Sequence, residues 1–169
     1  MIKKLNYYFI TLFVFGDSNI KYRGTWASLF TTLFLFLLIY ILKIPVLIIL
    51  VILLLVFFYS FIAINSCLKN FKDKDPQEIV IDEFVGQSIP IILYEVFHPD
   101  RTNSTEEALQ IYFWFFLLFR VFDGLKPFPI DYIDNKYKNT FGILFDDILA
   151  GFYVVLCLIL FVVGKTFYF

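Results

Sequence analysis

Five acidic residues stand where a hydrophobic chain has little use for charge. Asp82 and Glu83 are side by side in "IVIDEFVGQ" (79–87), Asp123 lies in "FRVFDGLKPFP" (119–129), and Asp146 and Asp147 in "GILFDDILAG" (142–151). A charge at the centre of a membrane helix costs about 2.5–3.5 kcal/mol on insertion scales, and less at the boundary, where water reaches it. Carboxylates gathered at one place also repel each other, by roughly 4 kcal/mol for two unit charges about 4 Å apart at an effective dielectric of 20. Such a cluster protonates, splays apart or binds cations. Carboxylate oxygens suit hard divalent ions, above all Mg²⁺, which is held by a few carboxylates together with substrate phosphate and water. The chemistry these residues point to is a magnesium site acting on a phosphate ester.

The second motif adds positive charge. Arg120, Asp123 and Lys126 recur at three-residue spacing, on neighbouring faces of one helix end. Arg and Lys beside carboxylates are suited to grip a phosphate. Plainer readings stand beside this one. Each acidic pair also fits the first turn of a helix, favoured by its dipole. Arg120 and Lys126 also fit a juxtamembrane basic cluster on lipid headgroups.

The elements that must position these residues follow from hydropathy. Of 169 residues, 60% are hydrophobic and 24 are Phe, well above the share in a soluble domain. The length suits one domain, read here as a single membrane-embedded unit over 1–169. Thr25–Leu42, Ile44–Leu68 and Ile148–Gly164 carry no charge and are long enough to be transmembrane candidates. Phe84–Phe97, interrupted by Pro90 and Glu95, and Ala108–Phe122, apolar until Arg120, are weaker. Each is open between a tilted pass, a broken helix and a re-entrant piece. The expected architecture is an all-α, polytopic membrane helical bundle of four to five membrane segments, some broken or re-entrant. Residues 1–23 are read as an N-terminal interfacial segment carrying Lys3, Lys4 and "YYFITLFVF", with a turn at Gly16-Asp17-Ser18. Ser104 or Thr105 is positioned to cap a helix starting near Glu106.

Five passes with the N-terminus inside place eleven of the 14 Lys and Arg residues on the cytoplasmic side or its boundary, in keeping with the positive-inside rule. The same topology brings Asp82/Glu83, Asp123 and Asp146/Asp147 to one boundary from three separate segments. A net charge of −1 suggests no nucleic-acid partner. The oligomeric state is left open.

Several chemistries are excluded. Neither Cys67 nor Cys157 is followed by an Arg at the spacing of a Cys-x5-Arg nucleophile, and the two cysteines show neither metal-type spacing nor a disulfide framework. His98 is alone, so histidine-based lipid phosphatase chemistry lacks its partner. Gly24-Thr25 is not a phosphate-binding P-loop. A membrane phosphotransferase of phospholipid synthesis would need Asp-Gly-x-x-Ala-Arg, whereas Asp123-Gly124 is followed by Leu125, Lys126 and Pro127. A cation transporter would place its acids near mid-membrane, and these lie at segment ends. A non-catalytic membrane scaffold is the remaining alternative.

The three acidic motifs, in this order and with these separations, together with "GTWASL" (24–29), resemble the phosphatidylglycerophosphatase A family over about residues 15 to 155. The resemblance implies a bacterial inner-membrane, Mg²⁺-dependent lipid phosphatase. Such an enzyme removes the terminal phosphate of phosphatidylglycerophosphate at the cytoplasmic face, giving phosphatidylglycerol and inorganic phosphate. It implies metal ligation among Asp82, Glu83, Asp123, Asp146 and Asp147. Asp82, Asp123 and Asp146 are assigned to metal first, with Glu83 and Asp147 as further ligands or base. Glu83, Asp123 and Asp147 are the catalytic candidates, whether water attacks the phosphorus or an Asp does so to form an aspartyl-phosphate. Arg120 and Lys126 would steady the phosphate. Thr25 and Ser28 are candidate headgroup contacts, or hydroxyls bonded back to the helix backbone. Two departures from the family pattern stand out. Arg23 replaces the usual Pro before Gly-Thr, and Asn139-Thr140 replaces a Gly-Gly pair. Asn139 retains access to a left-handed turn.

Overall fold

The computed structural model describes residues 2–13, 15–16, 20–71, 76–98 and 104–168. Asp17 and Ser18 of the expected turn, residues 72–75 of the loop 69–78 and residues 99–103 of the loop 98–107, Arg101 included, lie outside the described residues. Among those described there are helices and no strand. They are α1 (Ile2–Ile10), α2 (Arg23–Phe36), α3 (Val46–Leu68), α4 (Ile81–Phe97), α5 (Thr105–Leu125), α6 (Ile130–Lys136) and α7 (Thr140–Tyr168).

Four stretches have the length and apolarity to cross a bilayer: Arg23–Ile41, Val46–Leu68, Thr105–Leu125 and Thr140–Lys165. The 23 residues of α3 rise about 34 Å at 1.5 Å each, enough for a hydrocarbon core of about 30 Å. α2 reaches comparable length by running into a π-helical turn, Leu37–Ile41, where Leu42 N–H reaches back to Leu37 O at 2.9 Å. Lys43, with φ of 54°, and Pro45 then reverse the chain into α3.

Both weaker segments are continuous helices, α4 of 17 residues with Pro90 inside it and α5 of 21, and of the two α5 has the length and apolarity to span. α5 is continuous and its ends are set locally. Ser104 Oγ accepts from Glu107 N–H, and the Glu107 carboxylate accepts from Ser104 N–H, which closes a capping box. At the other end Lys126 turns left-handed, with φ of 43° and ψ of 59°, and Pro127 follows, so the helix stops there.

α4 is the central helix. It packs against α2, α3, α5 and α7, which explains how a segment carrying Asp82, Glu83, Gln87 and Glu95 sits inside an apolar bundle. Its crossing with α7 is close. A Cβ on Gly86 would fall 2.6 Å from Asp147 O, and one on Gly151 would fall 2.4 Å from Gly86 O. Pro90 has no N–H to give to Gly86 O, four residues back. The carbonyl it leaves is the one against which Gly151 packs.

Several polar groups inside the bundle are matched. Ser28, Thr31 and Thr32 donate to Gly24 O, Ala27 O and Ser28 O, one turn back on α2, at 2.8–2.9 Å. Towards the far end of α4, Glu95 Oε1 accepts from Tyr112 at 2.7 Å and from Tyr40, in the π-helical turn, at 3.0 Å. α1 is held on α3 through Asn6, which donates to Ser66 Oγ at 2.6 Å and accepts from Tyr59 at 2.7 Å. Ile10 O accepts from Val80 N–H at 2.9 Å, which ties the N-terminal helix to the approach to α4.

Candidate active site

The three acidic motifs converge. Asp82 and Glu83 occupy the first turn of α4, Asp123 the last turn of α5, and Asp146 and Asp147 the second turn of α7. All five line one cavity of about 770 Å³, together with Arg120, Lys126, Thr25, Gly24, Arg23 and Lys21. The last pair was expected to precede its span; α7 instead begins at Thr140 and carries it inside the helix.

Within the cavity the acids divide. One carboxylate oxygen from each of Asp82, Glu83 and Asp147 lies within 4.8 Å of the others. The other two acids are matched with cations: Arg120 Nη1 is 2.8 Å from Asp123 Oδ2, and Lys126 Nζ is 2.8 Å from Asp146 Oδ2. Of the three acids read as first ligands, Asp82 lies in this trio, whereas Asp123 and Asp146 are ion-paired beside it. The oxygens brought together belong to Asp82, Glu83 and Asp147. The reason is geometric. Asp123 is one helical turn from Arg120 on the same helix and pairs with it locally, whereas Lys126, at the left-handed end of α5, reaches across to α7.

Local bonds hold the acids in place. Glu83 N–H donates to Asp82 Oδ1 at 3.1 Å, and Asp147 N–H to Asp146 Oδ1 at 3.0 Å. Asp82, Asp146 and Asp147 are buried. Glu83 Oε2 is buried and has no hydrogen-bond partner, and the same is true of both amide atoms of Gln87, one turn further along α4.

Lys126 also lies 3.2 Å from Asp134 Oδ2, on α6. Burial alone would push its pKa down. The charges of Asp146 and Asp134 and the hydrogen bonds to them outweigh that and hold it above the ordinary lysine value. These contacts favour the charged form of Lys126.

Arg120 is backed by Ser28. The Ser28 hydroxyl donates to Gly24 O and accepts from Arg120 Nη1 at 3.4 Å, and Ser28 is fully buried. It stands behind Arg120 and is not among the cavity-lining residues, and of its two readings the bond back to the helix backbone is the one present. Thr25 does line the cavity.

Four features escaped the sequence reading. Gly24 faces Glu83 so closely that a Cβ would fall 2.1 Å from Oε1. Asp134 joins the Lys126 pair, and its i,i+4 partner Lys138, at 2.8 Å, was the one readable hint. Lys21 and Arg23 add cations to the wall. Asn139 caps α7, its Oδ1 accepting from Phe141 N–H at 3.0 Å and Gly142 N–H at 3.2 Å. It does not use the left-handed turn open to it, and its side chain supplies the cap from an ordinary backbone conformation.

Comparison with known proteins places the chain in a family. Residues 8–162 match the family model described as Phosphatidylglycerophosphatase A. A phosphatidylglycerophosphatase A of Haemophilus influenzae is 36% identical over 136 residues, covering 79% of this chain and 74% of its own. A Bacteroides thetaiotaomicron protein provisionally named phosphatidylinositol-3-phosphatase is 31% identical over 58% of this chain and 56% of its own. A phosphatidylglycerophosphatase A of Escherichia coli is 32% identical over 53% and 48%. No solved structure matches. The chain belongs to the phosphatidylglycerophosphatase A family.

Proposed function

We propose that the protein is a Mg²⁺-dependent phosphatase of the bacterial inner membrane that removes the terminal phosphate of phosphatidylglycerophosphate, releasing phosphatidylglycerol and inorganic phosphate. The observation that carries this is the meeting of five carboxylates, Arg120 and Lys126 around one cavity, at the end of the membrane-length α5, near the start of the membrane-length α7 and at the start of α4. A site at helix ends reaches a lipid headgroup; one at mid-bundle would reach the acyl chains. The excess of Lys and Arg expected on the inner side supports a cytoplasmic orientation.

The residues present fit the ion. Ligands of Mg²⁺ at about 2.1 Å stand at most about 4.2 Å apart, and the oxygens of Asp82, Glu83 and Asp147 lie within 4.8 Å of one another. A small closure of the three side chains would bring them onto one centre. The donor set is all oxygen, and the orphaned Glu83 Oε2 has a use once a cation is present. Asp82, Glu83 and Asp147 would hold the ion, with Asp123 and Asp146 as nearby acids. When bound, Mg²⁺ supplies positive charge to phosphoryl oxygens as they gain charge in the transition state.

The chain's own groups do the rest. Arg120, steadied by Asp123 and Ser28, offers its guanidinium to the phosphate. Lys126, pinned between Asp146 and Asp134, adds a second fixed charge that costs no reorganisation during the reaction. Asp123, the catalytic candidate outside the Asp82, Glu83 and Asp147 set, accepts the proton of the attacking water. The water oxygen bonds to phosphorus as the bond from phosphorus to the glycerol oxygen breaks, and the leaving oxygen takes the proton held by the carboxylate to become the headgroup hydroxyl.

The test is phosphate release from phosphatidylglycerophosphate in mixed micelles with Mg²⁺. EDTA should stop it and added Mg²⁺ should restore it. Asp123→Asn should lower turnover about 100-fold or more with unchanged thermal unfolding. Wild-type turnover by that variant would remove Asp123 from the site. Phosphatidic acid and phosphatidylinositol 3-phosphate serve as competing substrates, and a preference for either would redirect the substrate assignment.

A further inference from the structure

The cations on the cavity wall form two sets. The inner set, Arg120 and Lys126, is ion-paired with Asp123 and Asp146, acids of the cavity itself. The outer set, Lys21 and Arg23, comes from the start of α2. Arg23 Nη1 lies 3.6 Å from Glu78 Oε1, outside the acid cluster, and Arg23 Nε donates to Ile20 O at 3.2 Å. These contacts fix a guanidinium on the wall with a side chain only 13% exposed. The two sets adjoin. Gly24, the next residue, sits against both Glu83 and Arg120, since a Cβ there would fall 2.1 Å from Glu83 Oε1 and 3.4 Å from Arg120 Nη1.

Resting on the function proposed above, we infer that Arg23, with Lys21 beside it, binds the phosphodiester of the lipid while Arg120 and Lys126 take the terminal phosphomonoester. The substrate chemistry asks for two anion sites, because its two phosphates are separated by one glycerol unit. A diester entering this boundary with no cation opposite it would leave a poorly solvated charge, which is costly. The planar fork of arginine matches two phosphate oxygens at once. The first N–H groups of α2, which has no side-chain cap at Tyr22, add to the positive potential at the same place. Arg23 thereby acts as a specificity residue, favouring lipids that carry a diester as well as a monoester over those with a monoester alone.

Binding tests this without turnover. Phosphatidylglycerol, which carries only the diester, is titrated into the full-length protein in neutral-detergent micelles. Arg23→Gln should weaken binding about tenfold, the loss of one charge-assisted contact, and Arg23→Lys should recover part of it. Glu78→Gln, which breaks the ion pair but keeps the cation, should retain binding. Inhibition of phosphate release by inorganic phosphate, which probes the inner set, should be unchanged in Arg23→Gln. In turnover, Arg23→Gln should raise KM for phosphatidylglycerophosphate and leave that for phosphatidic acid unaltered. Wild-type phosphatidylglycerol binding by Arg23→Gln would overturn the inference. So would an equal loss in Glu78→Gln, because that marks a purely structural ion pair. If Arg23-dependent binding stands while wild-type protein releases phosphate from neither lipid, the phosphatase reading fails and the diester site survives it.

Discussion

Gly24 on α2 and Glu83 on α4 are in such close register that a single methyl group on the first would fall 2.1 Å from Oε1 of the second. The atom it meets is the far end of a flexible side chain, so the fold has a cheap way to make room. Gly24→Ala should therefore leave thermal unfolding in detergent close to wild type while displacing the Glu83 carboxylate. A misplacement of about 1 Å at a reacting centre costs about 100-fold, and a fall of that order in kcat/KM is expected. Unchanged kinetics would show that the position of Glu83 is immaterial to catalysis.

Gly86 and Gly151 make the opposite case. Here the nearest atoms are backbone, Asp147 O at 2.6 Å and Gly86 O at 2.4 Å, and backbone in the middle of two packed helices has no such freedom. Gly86→Ala and Gly151→Ala should each lower stability by about 1–3 kcal/mol, the cost of overpacking, read as a drop in unfolding temperature. Gly86→Ala should also cost activity, because the backbone it pushes carries Asp147.

Asp134 gives the fold a dependence on acid. Burial raises its pKa, but the hydrogen bond from Lys138 and the charge and hydrogen bond of Lys126 outweigh that and hold it below the ordinary aspartate value. A carboxyl group with a lower pKa folded than unfolded stabilises the folded state above its unfolded value of about 3.9, and that contribution is lost as pH falls through the folded value. The stability difference between wild type and Asp134→Asn should thus be constant near neutrality and shrink as the pH drops below about 4. A difference that stayed constant through this range would show that the Lys126 and Lys138 pairs do not stabilise the ionised form.

Asn139 tests the departure from the Gly-Gly pattern. As the cap of α7 it satisfies two N–H groups. Asn139→Ala should cost about 1 kcal/mol and Asn139→Gly only a few tenths. Thermal unfolding of the two variants checks the order, and equal losses would mean that the cap contributes nothing.

The sequence by itself determined the class of protein and the list of chemical groups. Long uncharged runs mark α2, α3 and the latter part of α7 because the cost of burying charge in hydrocarbon is paid residue by residue and is written locally. The capping box at Ser104 and Glu107 is local in the same way. The acidic motifs named all five carboxylates, and the five-pass reading brought them to one boundary. The division of labour among them was decided only by the tertiary structure. Asp82, Glu83 and Asp147 meet because Gly86 and Gly151 let α4 and α7 approach closely, while Lys126 reaches Asp146 because α5 ends in a left-handed residue. The enclosure of α4, the alliance of Asp134 with Lys126 and the place of Ser28 behind Arg120 depend on contacts between residues far apart in the chain. Hydropathy and spacing describe each helix alone, whereas the partner of a buried charge is set by which helices touch and in what register.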